Sequence, residues 1–314
     1  MQLSDRIGRR MKLHDLHVLI AVAQAGSMSR AAQLLNTTQP AISRSIADLE
    51  HAIGVRLLDR GRHGVELTEH GRAMRDGGLA MFDELRQAVR NIEFLSDPTA
   101  GEVRIGTTRP LAASFVSAVI DRLARRYPRI VFHVVTDAGE VQRRNLSERS
   151  VDLLIFRRTS YFADEQIAFE ALYESPYVVA AGTKSPWVRR RRIELADLMG
   201  EAWALPPPTG GFGSFVAEAF RAGGFDFPHA TVVAIAPEPG INLAMTGRYL
   251  TIVPEFLLQF PSKHPFIKKL PVDLPIASAP IGIITLKNRA PSPVVQRFID
   301  CAREVAKPLA RLRR

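Results

Sequence analysis

Residues 27–71 read SMSRAAQLLNTTQPAISRSIADLEHAIGVRLLDRGRHGVELTEHG, and this stretch decides the fold of the first part of the chain. It begins with a predicted short helix, SRAAQLLN, which Ser27 or Ser29 caps. Thr37 or Thr38 caps a second predicted helix, because a threonine hydroxyl accepts a hydrogen bond from an N–H group of the first helical turn. The pattern therefore predicts two consecutive helices with a short connection.

The second predicted helix separates an apolar stripe from a polar face. The stripe recurs at helical spacing through Ile42, Ile46, Leu49 and Ile53. Another helix, with its first apolar position at Leu13 and its end at Gly26, precedes the pair. Two helices of which the second carries polar groups near its start are typical of a helix-turn-helix, whose second helix enters the major groove. A plain three-helix bundle with a solvated polar face fits the same periodicity.

A predicted β-hairpin follows in GVRLLDRGRHGVELTEHG, residues 54–71. Short apolar runs flank a tip that carries Arg60, Arg62 and His63. Cations at such a tip reach DNA phosphates or the minor groove. The hairpin favours a winged DNA-binding domain over a plain bundle.

Residues 13–72 closely resemble the winged helix-turn-helix of LysR-type transcriptional regulators in the elements AA-LLN, TQPAISRSI-LE, G-LL-R and LTE-G. The resemblance implies an all-α, winged DNA-binding domain at 1–67. It implies binding to an inverted repeat in double-stranded DNA as a homodimer or homotetramer, with RNA polymerase as a further partner. The residues it assigns to DNA are Thr38, Gln39, Pro40, Ser43, Arg44, Arg60, Arg62 and His63.

A long linker helix is predicted over 68–96, with Thr68 as its cap. Its apolar positions alternate spacings of four and three, as in a coiled-coil seam: Met74, Gly78, Met81, Leu85, Ala88, Ile92 and Leu95. Packing of this helix on its own domain is one interpretation. Pairing with a second copy is the other, and the family resemblance implies it.

Residues 97–314 alternate predicted strands and helices after a turn-rich break, SDPTAG. Strands such as VDLLIF are apolar on both faces, which indicates parallel sheets covered by helices. This half resembles the α/β periplasmic-binding-protein-like effector domain of the same family, with two Rossmann-like subdomains. The expected boundaries are 101–181 plus 278–314 for subdomain I and 182–277 for subdomain II.

Several segments are expected to meet in a cleft between the subdomains, because ligands of open α/β sheets bind outside the carboxyl ends of strands. Phe156-Arg157 ends one such strand, and Arg109 is either a carboxylate clamp or a solvated surface arginine. Hydroxyl groups, peptide N–H groups and an arginine suit a small carboxylate or a sugar. The predicted effector-binding residues are Thr107, Thr108, Arg109, Phe156, Thr209, Gly211, Ser214 and Pro239.

Composition limits the remaining possibilities. The net charge is +10, but residues 1–96 carry only 13 Lys and Arg against 11 Asp and Glu, so local pattern rather than bulk charge points to DNA. The single cysteine, Cys301, excludes an internal disulfide. No membrane span or signal peptide is expected, which predicts a cytoplasmic protein without membrane partners.

Three classes of protein fit the C-terminal architecture. An α/β enzyme would need a catalytic or cofactor signature, and no GxSxG, Walker or His-carboxylate motif occurs, so we expect no catalytic residues, no cofactor, no metal and no enzymatic activity. A solute-binding receptor would need export. A ligand-responsive transcriptional regulator explains both halves of the chain and the helix that links them.

Overall fold

The computed structural model describes residues 11–61, 64–209, 211–235, 237–258, 265–275 and 279–311. The chain forms two compact units, Met1–Ile92 and Glu93–Arg314. The first contains short helices and a two-stranded hairpin, and the second contains two five-stranded sheets. Within the described ranges, no helix is long and apolar enough to cross a membrane.

Three helices form the core of the first unit. Their bounds are Leu13–Ala25 (α1), Met28–Leu34 (α2) and Gln39–Ile53 (α3). Gly26 and Gly54 end α1 and α3 with φ of 63° and 83°, in the left-handed region that glycine adopts without strain. Ser27 caps α2 by accepting a hydrogen bond from the N–H of Arg30.

The predicted apolar stripe of α3 is confirmed. Ile42, Ile46 and Leu49 are buried in the core that α3 shares with α1 and α2, and Ile53 packs against that core while remaining partly exposed. Burial of this stripe fixes the rotation of α3 about its axis. The polar positions between the stripe residues therefore face away from the core.

The predicted hairpin is present as Leu58–Gly61 (β1) and Gly64–Leu67 (β2), paired antiparallel. Glu50 on α3 anchors its start, since Oε1 accepts hydrogen bonds from the N–H groups of Leu57, at 2.7 Å, and Leu58, at 3.2 Å. The N–H of Val65 donates to the carbonyl of Gly26, at 3.1 Å. These bonds fix the wing to α3 and to the end of α1.

A long helix, Glu69–Ser96 (α4), follows the hairpin. Thr68 caps it as predicted, because its Oγ1 accepts a hydrogen bond from the N–H of Gly71, at 2.9 Å. A Cβ at Gly71 would overlap the carbonyl oxygen of Leu57, and a Cβ at Gly78 would lie 2.9 Å from the side chain of Leu16. Both glycines thus allow α4 to approach the rest of its unit closely.

The second unit is built on two separate sheets. The strands of the first sheet are Ala100–Thr107 (β3), Arg129–Thr136 (β4), Leu153–Arg157 (β5), Ile167–Glu174 (β6) and Pro280–Leu286 (β12). Those of the second are Tyr177–Gly182 (β7), Trp203–Leu205 (β8), Ala230–Val233 (β9), Leu250–Pro254 (β10) and Ile267–Lys269 (β11). The strand order of the first sheet is β4-β3-β5-β12-β6, and that of the second is β11-β7-β10-β8-β9.

Helices cover the sheets, as expected of an α/β domain. They are Arg109–Leu111 (α5), Ser117–Arg126 (α6), Gly139–Ser147 (α7), Gly211–Ala222 (α8), Pro237–Met245 (α9) and Pro293–Arg311 (α10), with a π-helical turn, Ala112–Val116, between α5 and α6. Each sheet has its own buried apolar cluster, centred on Phe115 and Phe298 in the first and on Trp203 and Phe220 in the second. The two-subdomain architecture is confirmed.

The expected parallel pairing is present between β3 and its neighbours β4 and β5 and between β8 and its neighbours β9 and β10, but both sheets are mixed. β12 runs antiparallel to both β5 and β6, and β7 runs antiparallel to β10 and β11.

Since β7 pairs in the second sheet, the chain crosses between subdomains at Ser175 and Pro176, before the expected boundary at 181–182. β6 and β7 follow each other without a helix between them. The sequence pattern of strands and helices therefore does not show that the chain changes sheets at this point. The expected boundary at 277–278 lies outside the described residues.

Alanine substitutions at two glycines of α4 are expected to change the stability of the protein in opposite directions. Gly71→Ala lowers stability by about 1–3 kcal/mol, because the new methyl group overlaps the Leu57 carbonyl. Gly77→Ala raises stability by up to roughly 1 kcal/mol, because nothing lies within 4 Å of its Cβ position and alanine favours helix. Calorimetric unfolding of the full chain measures both, and a stabilising Gly71→Ala would contradict this packing.

Candidate functional site

The surface of α3 opposite its buried stripe carries the residues assigned to DNA. Thr38, Gln39, Pro40 and Arg44 are exposed, and Ser43 is half-buried beside them. Thr38 occupies the N-cap position, and its side chain makes no capping hydrogen bond. The first turns of α3 therefore present hydroxyl, amide and guanidinium groups together, and these groups suit phosphates and base edges.

The wing lies in the same unit. Arg60 is in β1, opposite Val65 of β2. Arg62 and His63, between the two strands, lie outside the described residues. The DNA-binding role of all three wing residues remains a prediction.

The apolar seam of α4 divides into two halves with different surroundings. Met74 and Met81 pack against the core of the first unit, and Gly78 contacts Leu16. Further along, large apolar side chains are exposed: 48% for Leu85, 55% for Val89, 65% for Ile92 and 80% for Leu95. The first half thus packs on its own domain, and only the second half presents an apolar surface.

The second unit contains a cavity of about 600 Å³ where strand ends of both sheets meet. The first sheet contributes Thr108 and Arg109 after β3 and Phe156 and Arg157 at the end of β5. The second contributes residues at the ends of β8 and β10 and at the start of the antiparallel β7: Ala204, Leu205, Pro206, Tyr177, Thr251, Ile252 and Pro254. A cavity at this edge suits ligands of open α/β sheets.

Three of the effector residues predicted from the sequence line this cavity, namely Thr108, Arg109 and Phe156. Thr107 does not, because its side chain is buried and its Oγ1 donates a hydrogen bond to the carbonyl of Ile155, at 2.7 Å. Arg109 lies in the wall with an exposed side chain, and its role as a carboxylate clamp stays a prediction.

Helices α8 and α9 contribute different residues from those predicted. Thr209, Ser214 and Pro239 are not part of the wall, and Gly211, which begins α8, remains a prediction. Side chains one or two positions apart on a helix point in different directions, so neighbours of the predicted residues reach the cavity instead. These neighbours are Phe212, Phe215, Pro237 and Gly240.

A stack of three side chains crosses the cavity wall. The guanidinium carbon of Arg157 lies 4.6 Å from the ring centroid of Tyr177, which stacks on Phe212 at 4.3 Å with an interplanar angle of 27°. Burial raises the pKa of the Tyr177 hydroxyl, and the charge of Arg157 opposes that shift. Arg157 ends β5 of the first sheet, whereas Tyr177 and Phe212 belong to the second subdomain. The stack therefore joins the two subdomains.

Gln142 of α7 positions the edge of the cavity. Its side chain is fully buried, and Nε2 donates hydrogen bonds to the carbonyls of Thr107, at 3.0 Å, and Val135, at 2.8 Å. These bonds tie together the ends of β3 and β4. The segment that follows β3 carries Thr108 and Arg109 into the wall. Sequence motifs do not predict this role of Gln142, because nothing in its local pattern indicates a contact with two distant carbonyls.

Comparison with known families matches both units. A model of the LysR substrate binding domain matches residues 96–307, and a model of the bacterial regulatory helix-turn-helix protein of the lysR family matches residues 13–72. The chain belongs to the LysR family of transcriptional regulators.

Similar proteins extend over most of this LysR-family chain. The HTH-type transcriptional regulator GbpR of Azospirillum brasilense is 26% identical over 285 residues, covering 90% of this chain and 83% of the relative. The Hca operon transcriptional activator HcaR of Escherichia coli is 24% identical over 296 residues, covering 94% of this chain and 98% of the relative.

Solved structures share the fold of this LysR-family regulator. Full-length OxyR from Pseudomonas aeruginosa superposes with a TM-score of 0.66 at 20% identity, covering 95% of this chain and 97% of the other. Full-length CbnR in complex with its target DNA gives a TM-score of 0.54 at 23% identity, covering 94% and 100%.

Removing the Gln142 amide tests its positioning role. Gln142→Leu leaves the carbonyls of Thr107 and Val135 without their donor and costs about 1–3 kcal/mol. The exposed Gln166 provides a matched control, and Gln166→Leu changes stability by less than about 0.5 kcal/mol. Calorimetric unfolding compares the two variants, and equal transitions would refute the role of Gln142.

Proposed function

We propose that this regulator binds an inverted-repeat DNA site as a homodimer or homotetramer, under the control of a small metabolite in the cavity of the second unit. The observation that carries the proposal is the exposed polar face of α3 beside a basic wing. A recognition helix and a wing together contact both base edges and backbone. Two copies give the two-fold symmetry that an inverted repeat requires.

Roles within the DNA interface follow from side-chain chemistry. Gln39 and Arg44 are suited to paired hydrogen bonds with adenine and guanine edges, and Ser43 to a base or a phosphate. Thr38, with Pro40 after it, lies at the start of α3, where N–H groups and the helix dipole favour phosphate. Arg60, Arg62 and His63 contact backbone or minor groove from the wing.

Self-association uses the exposed half of α4. Leu85, Val89 and Leu95 are large, apolar and exposed in the single chain, and such a surface marks an interface. A second copy would cover these side chains and hold two recognition helices at a fixed separation. Half-site spacing would then follow from the dimer geometry.

Ligand control would act through the two subdomains. A metabolite in the cavity contacts both, so it stabilises the subdomain arrangement that fits it best. Such a ligand shifts the population only if it binds that arrangement more tightly than the alternative. The change would reach DNA through the linker helix and the oligomer contacts.

The remaining aspects of function follow from the family. We infer a cytoplasmic protein that acts on DNA and RNA polymerase, without enzymatic activity, cofactor, metal or membrane partner. A solute-binding receptor or an α/β enzyme would share the second unit alone. Neither would need the α3 surface or the wing.

Alanine substitutions on α3 test the DNA interface. Ser43→Ala and Arg44→Ala each weaken sequence-specific binding by about 1–3 kcal/mol for every base edge that the side chain no longer reaches. The control is Arg221→Ala, an exposed arginine of α8 in the second unit, which leaves affinity unchanged. The measurement is footprinting and fluorescence titration on a duplex selected from random sequence by the full chain. Unaltered footprints for both α3 variants would refute the assignment.

Removing the wing cation should act differently. Arg62→Ala lowers affinity for all sequences alike and reduces the slope of log affinity against log salt by about 0.9 for each phosphate that the side chain neutralises. Titrations at several salt concentrations, on the selected duplex and on an unrelated one, measure both effects. A weakening confined to the selected duplex would instead assign Arg62 to base recognition.

Introducing a charged side chain on the exposed half of α4 tests whether this surface forms the oligomer interface. Leu85→Lys places an ammonium group in the proposed apolar interface and dissociates the complex, because an unpaired buried charge is costly. Glu84→Lys, on the adjacent exposed residue, adds positive charge outside the seam and serves as the control. Sedimentation equilibrium measures the mass of each variant. An unchanged mass for Leu85→Lys would place the interface elsewhere.

A further inference from the structure

The wall of the cavity is mainly apolar and aromatic. Side chains of this kind come from both subdomains and include Phe156, Tyr161, Tyr177, Phe212, Phe215 and Phe256. A surface of this composition binds the apolar body of a ligand by removing it from water.

Two polar atoms in the same wall are buried without partners. Within the described part of the chain, Nη2 of Arg157 donates no hydrogen bond, and Oγ1 of Thr159 neither donates nor accepts one. A buried polar atom left unsatisfied costs about 1–3 kcal/mol. A ligand oxygen that hydrogen-bonded to these atoms would remove that cost.

Among the described residues, the charge of Arg157 also has no carboxylate beside it. Its Nη1 donates a hydrogen bond to the carbonyl of Ala279, at 2.7 Å, and its guanidinium lies over the Tyr177 ring. No ion pair of Arg157 with a carboxylate is found within the described residues. A partly buried guanidinium held by a carbonyl and a ring favours an anion, and a carboxylate matches its planar pair of donors.

The mouth of the cavity carries exposed apolar side chains on both sides. Tyr161 follows β5 of the first subdomain and is 52% exposed, while Phe215 and Ile235 of the second are 48% and 89% exposed. Exposed apolar groups around a cavity gain stability when a ligand covers them. The ligand that fits them has an apolar body as well as a charge.

We propose that the cavity takes a small carboxylate with an aromatic or similarly apolar body, bound at its carboxylate by Arg157 and Thr159. This inference rests on the proposed function, and it narrows the metabolite from the two classes that the sequence allows. A neutral sugar would leave the charge of Arg157 uncompensated. A small polar carboxylate would leave the aromatic wall without a partner.

Calorimetric titration of the full chain tests this ligand class. The probes are 2-naphthoate and benzoate, with benzamide as a neutral match, acetate as a carboxylate without an apolar body, and glucose as a neutral polyol. The aromatic carboxylates are expected to bind, with benzamide, acetate and glucose at least tenfold weaker. Benzamide binding as tightly as benzoate, or glucose binding more tightly, would overturn the proposal.

Variants identify the recognising residue. Arg157→Gln is expected to weaken 2-naphthoate binding at least tenfold. Arg157→Lys keeps the charge but not the paired donors, so its affinity for 2-naphthoate is expected to lie between those of Arg157→Gln and the native chain. The neighbouring Arg158 is exposed and outside the cavity wall, so Arg158→Gln provides a matched control with unchanged affinity. Equal losses for Arg157→Gln and Arg158→Gln would overturn the role of Arg157.

A DNA-binding measurement distinguishes an error in the ligand class from an error in the proposed regulatory function. Every variant is titrated with the selected duplex in the absence of ligand, and calorimetric unfolding reports whether its second unit is folded. Intact sequence-specific DNA binding without any binding of 2-naphthoate or benzoate overturns the ligand class and leaves the regulator in place. Absence of sequence-specific DNA binding in the native chain overturns the proposed function whatever the cavity binds.

Discussion

The second unit depends on one constraint of chain topology: the chain passes from the first of its two sheets to the second and then back to the first. The chain leaves the first sheet after β6 and enters the second at β7, and β12 later returns to complete the first sheet. At the first crossing the Ser175 hydroxyl accepts a hydrogen bond from the N–H of Phe256, at 3.1 Å, and the Pro176 carbonyl accepts one from the N–H of Glu255, at 2.9 Å. Strand ends from both sheets consequently face one cavity, and the two-residue connection at Ser175 and Pro176 limits how far the sheets separate there.

The stack of Arg157, Tyr177 and Phe212 joins the two subdomains at the cavity wall. The cation of Arg157, from one subdomain, lies over the ring of Tyr177, from the other, and Tyr177 stacks on Phe212. A ligand that engages the cation therefore acts on a contact between subdomains. Small changes at such a contact become changes of orientation because packed interfaces adopt discrete arrangements rather than deforming continuously.

The helix α4 combines two functions that the sequence pattern alone presents as one. A single heptad pattern covers Met74 through Leu95, yet its first half packs on the DNA-binding unit and its second half is exposed. Periodicity detects an apolar face and does not identify what covers it. Gly71 and Gly78 mark the packed half, because only a glycine allows the close approach to Leu57 and Leu16.

Local patterns predicted the first unit well and the cavity only in part. The stripe of α3, the cap at Thr68 and the wing follow from residues close together in sequence, and all three are present. The crossing between β6 and β7 is not predictable in this way, because two consecutive strands without a helix between them look the same in sequence whether they share a sheet or belong to different sheets. Phe212 and Phe215 were not among the predicted residues. The composition of the loop before α8 indicates a binding segment, but the rotation of the helix decides which side chains reach the cavity. Gln142 acts through distant carbonyls, which no local motif encodes.

A ligand in the cavity is expected to alter how the full chain holds DNA. Fluorescence energy transfer between the two ends of the selected duplex, titrated with the full chain with and without saturating 2-naphthoate, measures affinity and DNA bending together. The ligand is expected to shift either the midpoint by about 5- to 150-fold, the usual range of coupling between two sites, or the plateau that reports the bend. Identical midpoints and plateaus, with calorimetry showing the ligand bound, would show that the cavity does not control DNA binding.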